Sequence, residues 1–231
     1  MAKRAFDILA SALAIVVLSP LLLPVIAILR LTGEGYIFYA QERIGRGGKP
    51  FKILKFVTML KSSPYMAGGD ITVCRDPRVL PFGHFLRKTK INELPQLFNI
   101  LVGDMSVIGP RPLTPRVAAL FPPQHWLDIQ NLRPGLSGLG SIAFRDEEKL
   151  LNAADDRERV YGELIVPYKM ALEGWYARNH SLWVDSKLII FTVVSVLDSS
   201  SNVSRLFKGL PERSSALISF MEQSSLGRRD E

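Results

Sequence analysis

The chain has 231 residues, 47% hydrophobic and 22% charged, with one cysteine and three histidines. That length suits one large domain or one domain with an appendage, and the composition excludes a disordered or collagen-like chain. Cys74 alone excludes an internal disulfide framework and a cysteine-based zinc site, and His84, His125 and His180 lack metal-ligand spacing. Any metal is therefore expected to be a hard cation held by carboxylates and phosphates. The formal net charge of +7 favours anionic partners: phosphorylated ligands, nucleic acid or a membrane surface.

After Lys3, Arg4 and Asp7, the run Ile8–Leu29 holds 22 residues without a charge, enough to cross a hydrocarbon core of about 30 Å as one helix. It is too long for a signal peptide, and no small-residue cleavage site follows. Ser19-Pro20 sits near its middle, with Pro24 one turn on. Each proline removes a donor and crowds the carbonyl four residues earlier, which predicts a kink, and Ser19 can bond a freed carbonyl. Basic residues flank both ends, Lys3 and Arg4 before, Arg30 and the Arg43–Lys55 cluster after, which asks both ends to stay cytoplasmic. On the residues alone, a re-entrant hairpin and an ordinary spanning helix stand about even.

The polar body follows. Tyr36–Tyr39 and Phe51–Phe56 are β-prone, and Gly45-Arg46-Gly47-Gly48 between them marks a hairpin turn. Gln41–Lys61 carries six basic residues and one acid, either a lysine-protected edge strand or a basic wall for a phosphate. Ser62–Gly69 reads as a loop and Asp76-Pro77-Arg78 as a turn. Phe82–Ile100 is expected to be partly helical, with Asn92 as a cap and Pro95 in a first turn. Arg87, Lys88 and Lys90 precede Asn92-Glu93, so Glu93 is either a helix stabiliser or part of a phosphate and magnesium site. Gly109-Pro110-Arg111-Pro112 and Arg133-Pro134-Gly135 each hold an arginine in a stiff turn, which is either a plain surface turn or a preorganised phosphate grip. Trp175, Tyr176 and Trp183 suit a headgroup interface, Leu188–Leu197 a core or interfacial helix, and 199–231 a loosely ordered tail.

In order, Lys3-Arg4-Ala5-Phe6-Asp7-Ile8, Ser19-Pro20, Gln41-Glu42-Arg43-Ile44-Gly45, Leu86-Arg87-Lys88-Thr89-Lys90-Ile91-Asn92-Glu93-Leu94-Pro95-Gln96-Leu97, Gly103-Asp104-Met105-Ser106, Gly109-Pro110-Arg111-Pro112, Arg133–Gly138 and Asn179–Asp185 resemble the bacterial sugar transferases, the monotopic polyprenyl-phosphate phosphoglycosyltransferases, in their short form. The likeness runs from about Lys3 to Leu197. It implies an α+β, mainly helical fold: a re-entrant, kinked membrane helix (1–33) broken at Ser19 and Pro20, a compact cytosolic domain with a small β-hairpin (34–198), and the tail (199–231). It implies transfer of a sugar-1-phosphate from a UDP-sugar to undecaprenyl phosphate, release of UMP and a need for Mg2+, at the cytoplasmic face of the bacterial inner membrane. Membrane lipids and a second copy in a homo-oligomer are further partner expectations. Nucleic acid is not, because no nucleic-acid module or stacking platform is visible.

The resemblance places Asn92 and Glu93 at the catalytic dyad, with Glu93 binding the metal. Arg87, Arg111 and Arg133 are expected to converge on Glu93 as phosphate ligands, with Arg78 and Lys55 as weaker candidates. One departure is serious. The family's dyad is Asp-Glu, with the aspartate as nucleophile, and Asn92 stands in its place; a neutral amide is a poor nucleophile. An engineered trap, another nucleophile or direct transfer, and an inactive paralogue are the open explanations. A membrane-anchored sugar-nucleotide-binding or scaffold protein is therefore the alternative function. Val57 also departs, since relatives usually carry arginine or lysine there.

Overall fold

A computed structural model describes residues 1–66, 76–118, 127–145, 147–197, 203 and 206–226. Cys74, His125, the end of the expected 62–69 loop and the first residues of the expected tail lie outside the described residues. The chain is mostly helical, with two small sheets and an apolar N-terminal helix.

Helix α1 (Ala2–Leu31) runs uninterrupted through Pro20 and Pro24. Pro20 deprives the Val16 carbonyl of its helical donor, and the Ser19 hydroxyl supplies a replacement at 2.8 Å. One stripe of the helix packs on the rest of the chain along its whole length. Arg4 and Asp7 bind main-chain groups at its start. Ala14, Ile15 and Leu18 meet Ile53, Leu97 and Ile100; Leu22, Val25 and Leu29 meet Phe56 and Leu86. These positions recur every three or four residues, the period of one helix face. The opposite face is also apolar, and Leu9, Leu13, Val16, Val17, Leu23 and Leu31 stand exposed.

Strands β1 (Phe38–Ile44) and β2 (Pro50–Phe56) form the expected antiparallel hairpin, Phe38 opposite Phe56 and Ile44 opposite Pro50. Gly47 and Gly48 take positive φ in its loop, as the turn requires. The far edge of β2 is closed by a side chain: the Asn99 amide accepts from Leu54 N–H at 2.9 Å and donates to the Lys52 carbonyl at 2.8 Å. Helix α2 (Pro81–Lys88) ends before Lys90, the one non-glycine positive-φ residue among those described, and a 3-10 turn spans Ile91–Glu93. Helix α3 (Gln96–Val102) starts only after Pro95. Asn92 thus caps no helix, because the turn lies too early, and its side chain is buried instead.

Strand β3 (Ser106–Ile108) pairs in parallel with β4 (Gly135–Ser137), with the short α4 (Pro115–Ala118) between them. Helices α5 (Leu139–Ala143), α6 (Glu147–Asn152) and α7 (Arg157–Val160) lead through a π turn at Tyr161–Ile165 into α8 (Val166–Asn179), followed by α9 (Leu182–Leu197). Ile108, Leu139, Leu172, Tyr176 and Leu188 form the main core. Tyr176 is buried there rather than at an interface, because its hydroxyl donates to Asp185. The expected tail holds α10 (Ser215–Leu226), and Leu217, Phe220 and Met221 dock it on the core, with Leu217 fully buried.

Candidate active site

The 3-10 turn after α2 delivers Glu93 into a small cavity between the hairpin and the paired strands β3 and β4. Arg43, Lys55, Gln96 and Arg111 share its lining. The nearest cation is Arg111, whose Nη2 lies 3.9 Å from Glu93 Oε1; the arginine side chain is half exposed and the carboxylate largely covered. Burial pushes the Glu93 carboxyl up, but Arg111, Lys55, Lys90 and Arg87 outweigh it and hold the group below its ordinary pKa. Burial pulls Lys55 down to about 8; Glu93 opposes this, while Arg111, Arg43 and Arg87 add to it. A largely covered carboxylate within a surplus of positive charge makes a site that attracts an anion.

The turn that carries Arg111 is fixed from two sides. Gly109 N–H donates to Ser137 O at 3.0 Å, and Gly135 N–H to Pro110 O at 2.8 Å. Arg43 Nη1 donates to Pro112 O at 3.2 Å, and Ile44 N–H to Leu113 O at 2.9 Å. Gly109 is obligatory, since a Cβ there would sit 2.3 Å from the Arg133 carbonyl. Behind the turn, Glu173 on α8 is buried and accepts the Gly140 N–H at 3.1 Å.

Of the five expected phosphate ligands, the structure brings Arg111 and Lys55 into the cavity and Arg87 within its electrostatic reach. Arg133 does not line it. Its Nε donates to Gly103 O at 2.9 Å, while Arg4 donates to the Ile100 and Leu101 carbonyls, so the two arginines cap the C-terminal end of α3, where carbonyls lack helical partners. Arg78 is buried and grips Asp76, Nη2 to Oδ2 at 2.6 Å and Nε to Oδ1 at 2.9 Å; those bonds hold the Asp76 carboxyl below its usual range. Asn92 is buried beside Glu93, and its Oδ1 has no hydrogen-bond partner among the described residues. Sequence reasoning did not single out Arg43, Gln96 or Glu173 for the site. For Glu173 a signal existed: it is a carboxylate on the apolar face that includes Leu172 and Tyr176.

Residues 1–199 match the model of the family described as bacterial sugar transferase. The chain belongs to that family. It is 36% identical over 211 residues to an uncharacterized sugar transferase of Haemophilus influenzae, covering 85% of this chain and 41% of the relative. It is 32% identical over 210 residues to the exopolysaccharide production protein ExoY of Rhizobium meliloti, with 85% of each covered. Similarity of 34% over 199 residues links it to a UDP-glucose:undecaprenyl-phosphate glucose-1-phosphate transferase of Klebsiella pneumoniae, covering 83% of this chain and 39% of that protein. The chain thus spans less than half of two of these relatives and most of the third.

Proposed function

We propose that the chain transfers a sugar-1-phosphate from a UDP-sugar to undecaprenyl phosphate, with UMP leaving, as a first membrane step of polysaccharide assembly. The observation that carries this is the cation-ringed Glu93 cavity in a chain that also presents a long apolar helix. A diphosphate and a lipid phosphate repel each other strongly where water is excluded. Arg111, Lys55 and Arg87 are the groups that offset that repulsion, and the Arg111 fork gives the directional contact. The name of the Klebsiella relative describes the same chemistry for glucose.

Mg2+ fits this donor set as a shared ion. Glu93 would supply the carboxylate, and such ions are commonly held by one or two carboxylates plus substrate phosphates. When bound, it supplies charge neutralisation on the phosphoryl oxygens under transfer. Around it, Arg111 and Lys55 orient the diphosphate.

The helix reading goes with this. A spanning helix separates its ends by about 30 Å of hydrocarbon, whereas both ends of α1 are packed on one body. We assign α1 to a re-entrant position in one leaflet, with its outward apolar face in lipid and the body at the cytoplasmic face.

Asn92 favours a second reading, a membrane-anchored sugar-nucleotide binder or scaffold, because an amide does not attack a phosphoryl group as a carboxylate does. A radiolabelled transfer assay on the protein and its Asn92→Asp variant, over a panel of UDP-sugars, separates the two. Transfer by the unaltered chain establishes the enzyme. Transfer by the variant alone makes Asn92 the lesion in an intact site, and transfer by neither leaves the binder.

A further inference from the structure

At the start of α1, Lys3 and Asp7 lie one turn apart on one helix face, and both reach β3. Asp7 is fully buried and accepts the Ser106 hydroxyl and the Val107 N–H on Oδ1, each at 3.0 Å. Lys3 Nζ donates to Asp185 Oδ2 at 2.5 Å, to the Ile108 carbonyl at 3.0 Å and to the Tyr176 hydroxyl at 3.4 Å, which engages all its ammonium protons. The Tyr176 hydroxyl has one proton to give, and the short contact is to Asp185 Oδ1 at 2.6 Å, against 3.2 Å to the Ile108 carbonyl. Asp185 is fully buried, and Lys3 and Tyr176 already occupy both its oxygens. The bond from Lys3 to Ile108 is therefore not needed to satisfy Asp185. It is a separate tie between α1 and the main chain of β3.

That tie falls at a sensitive place. Strand β3 pairs with β4 alone, and Ile108 is its last residue before Gly109-Pro110-Arg111. The Ile108 carbonyl and the Gly109 N–H belong to one planar peptide unit. Lys3 holds the carbonyl, and Ser137 O of β4 accepts the N–H at 3.0 Å. From that plane to Arg111 the chain has little freedom, because the Pro110 ring locks φ and the Pro110 carbonyl accepts from Gly135 at 2.8 Å. Gly109 is the soft joint, since a residue without Cβ turns easily. With the Lys3 bond removed, the plane loses its charged holder on the carbonyl side, and its rotation passes through Gly109 and Pro110 to the Arg111 peptide.

We propose that Lys3 is a positioning residue of the anion site: by holding the Ile108–Gly109 peptide against α1 it aims Arg111 at the Glu93 cavity, so that a phosphorylated ligand is gripped fully only while the start of α1 is docked on β3. The proposal rests on reading the Glu93 cavity as a phosphate site. Lys3 does not line that cavity and acts through the main chain. Asp7 supports it by holding the preceding peptide through the Val107 N–H. The apolar helix thereby has a task besides anchorage, because its first turn completes the turn that meets the phosphate.

The test uses the full chain in lipid nanodiscs, with a Lys3→Met variant and a Lys3→Met/Asp185→Asn double variant. The single variant strands the Asp185 charge and is expected to unfold earlier. The double variant removes that charge, so its unfolding midpoint should move back toward the wild type, while the Ile108 carbonyl still lacks its lysine. Hydrogen–deuterium exchange reads the tie without any ligand: both variants should lose protection about tenfold in peptides covering 106–113, with 81–88 and 215–226 unchanged. Calorimetric binding of UDP-glucose with magnesium reads the consequence, and both variants should bind about fivefold to tenfold more weakly. Affinity and protection that return together with the midpoint in the double variant overturn the positioning role, because Lys3 is then only the partner of a buried charge. Full affinity in the single variant overturns it as well. A wild type that binds no UDP-glucose, with protection at 106–113 still dependent on Lys3, overturns the phosphate reading and leaves the tie standing.

Discussion

A buried carboxylate that titrates near neutrality leaves a signature in stability, and Glu173 gives it a defined pH window. Its pKa rises from an ordinary 4.5 to about 7 in the folded chain. Between those values the folded state binds more protons than the unfolded state, so stability falls as pH rises through the window. Integrated from pH 5 to pH 8, the loss is about 2.5 kcal/mol. Other shifted groups act elsewhere. Glu93 and Asp76, both held below their ordinary values, lose their stabilising contribution only as pH falls below the ordinary carboxylate range. Lys55, lowered to about 8, costs stability while it is charged and regains it only above pH 8. Glu173→Gln cannot titrate. Urea unfolding of both proteins at pH 5, 6, 7 and 8 should therefore show the stability difference shifting by about 2.5 kcal/mol in favour of the variant as pH rises. Parallel curves for the two proteins would refute the reasoning, because they would mean that Glu173 is protonated or ionised in both states throughout.

Arg111→Lys keeps the charge and loses the fork; affinity for UDP-glucose should drop roughly tenfold with an unchanged unfolding midpoint, since the side chain is half exposed. Lys3 lies 2.5 Å from the fully buried Asp185. Lys3→Ala should cost about 2 kcal/mol by stranding that charge, and adding Asp185→Asn should recover part of the loss in the same unfolding assay. For topology, Ala2→Cys in a background lacking Cys74 should resist a membrane-impermeant thiol reagent applied outside intact cells; labelling from outside would make α1 a spanning helix.

Much of this arrangement is legible in the sequence where local chemistry leaves few options. Gly45–Gly48 between aromatic β-prone runs can hardly be anything but a hairpin loop, and Ser19 before Pro20 names the carbonyl that needs a donor. Glu93 after three bases, and Arg111 between two prolines, announce a charged site. Arg133 shows the limit of such motifs. An arginine in a tight turn looks the same whether it faces a ligand or the carbonyl end of a helix, and only the packing of α3 beside Gly103 decides. Arg78 is similar, being satisfied two residues away by Asp76. Helix α10 was hidden because serines and charges dilute the Leu217–Phe220–Met221 spacing, and its docking surface is assembled from helices distant in sequence.

The contacts at the start of α1 also set an order of events in synthesis. Asp7 waits for Ser106, 99 residues later, and Lys3 waits for Asp185, 182 residues later. At ~5–20 residues per second, the ribosome exposes α1 for roughly 10–40 s before its last partner emerges. During that interval both faces of the helix are apolar and uncovered, so the bilayer is its natural shelter. The first segment made is then among the last to be locked in place.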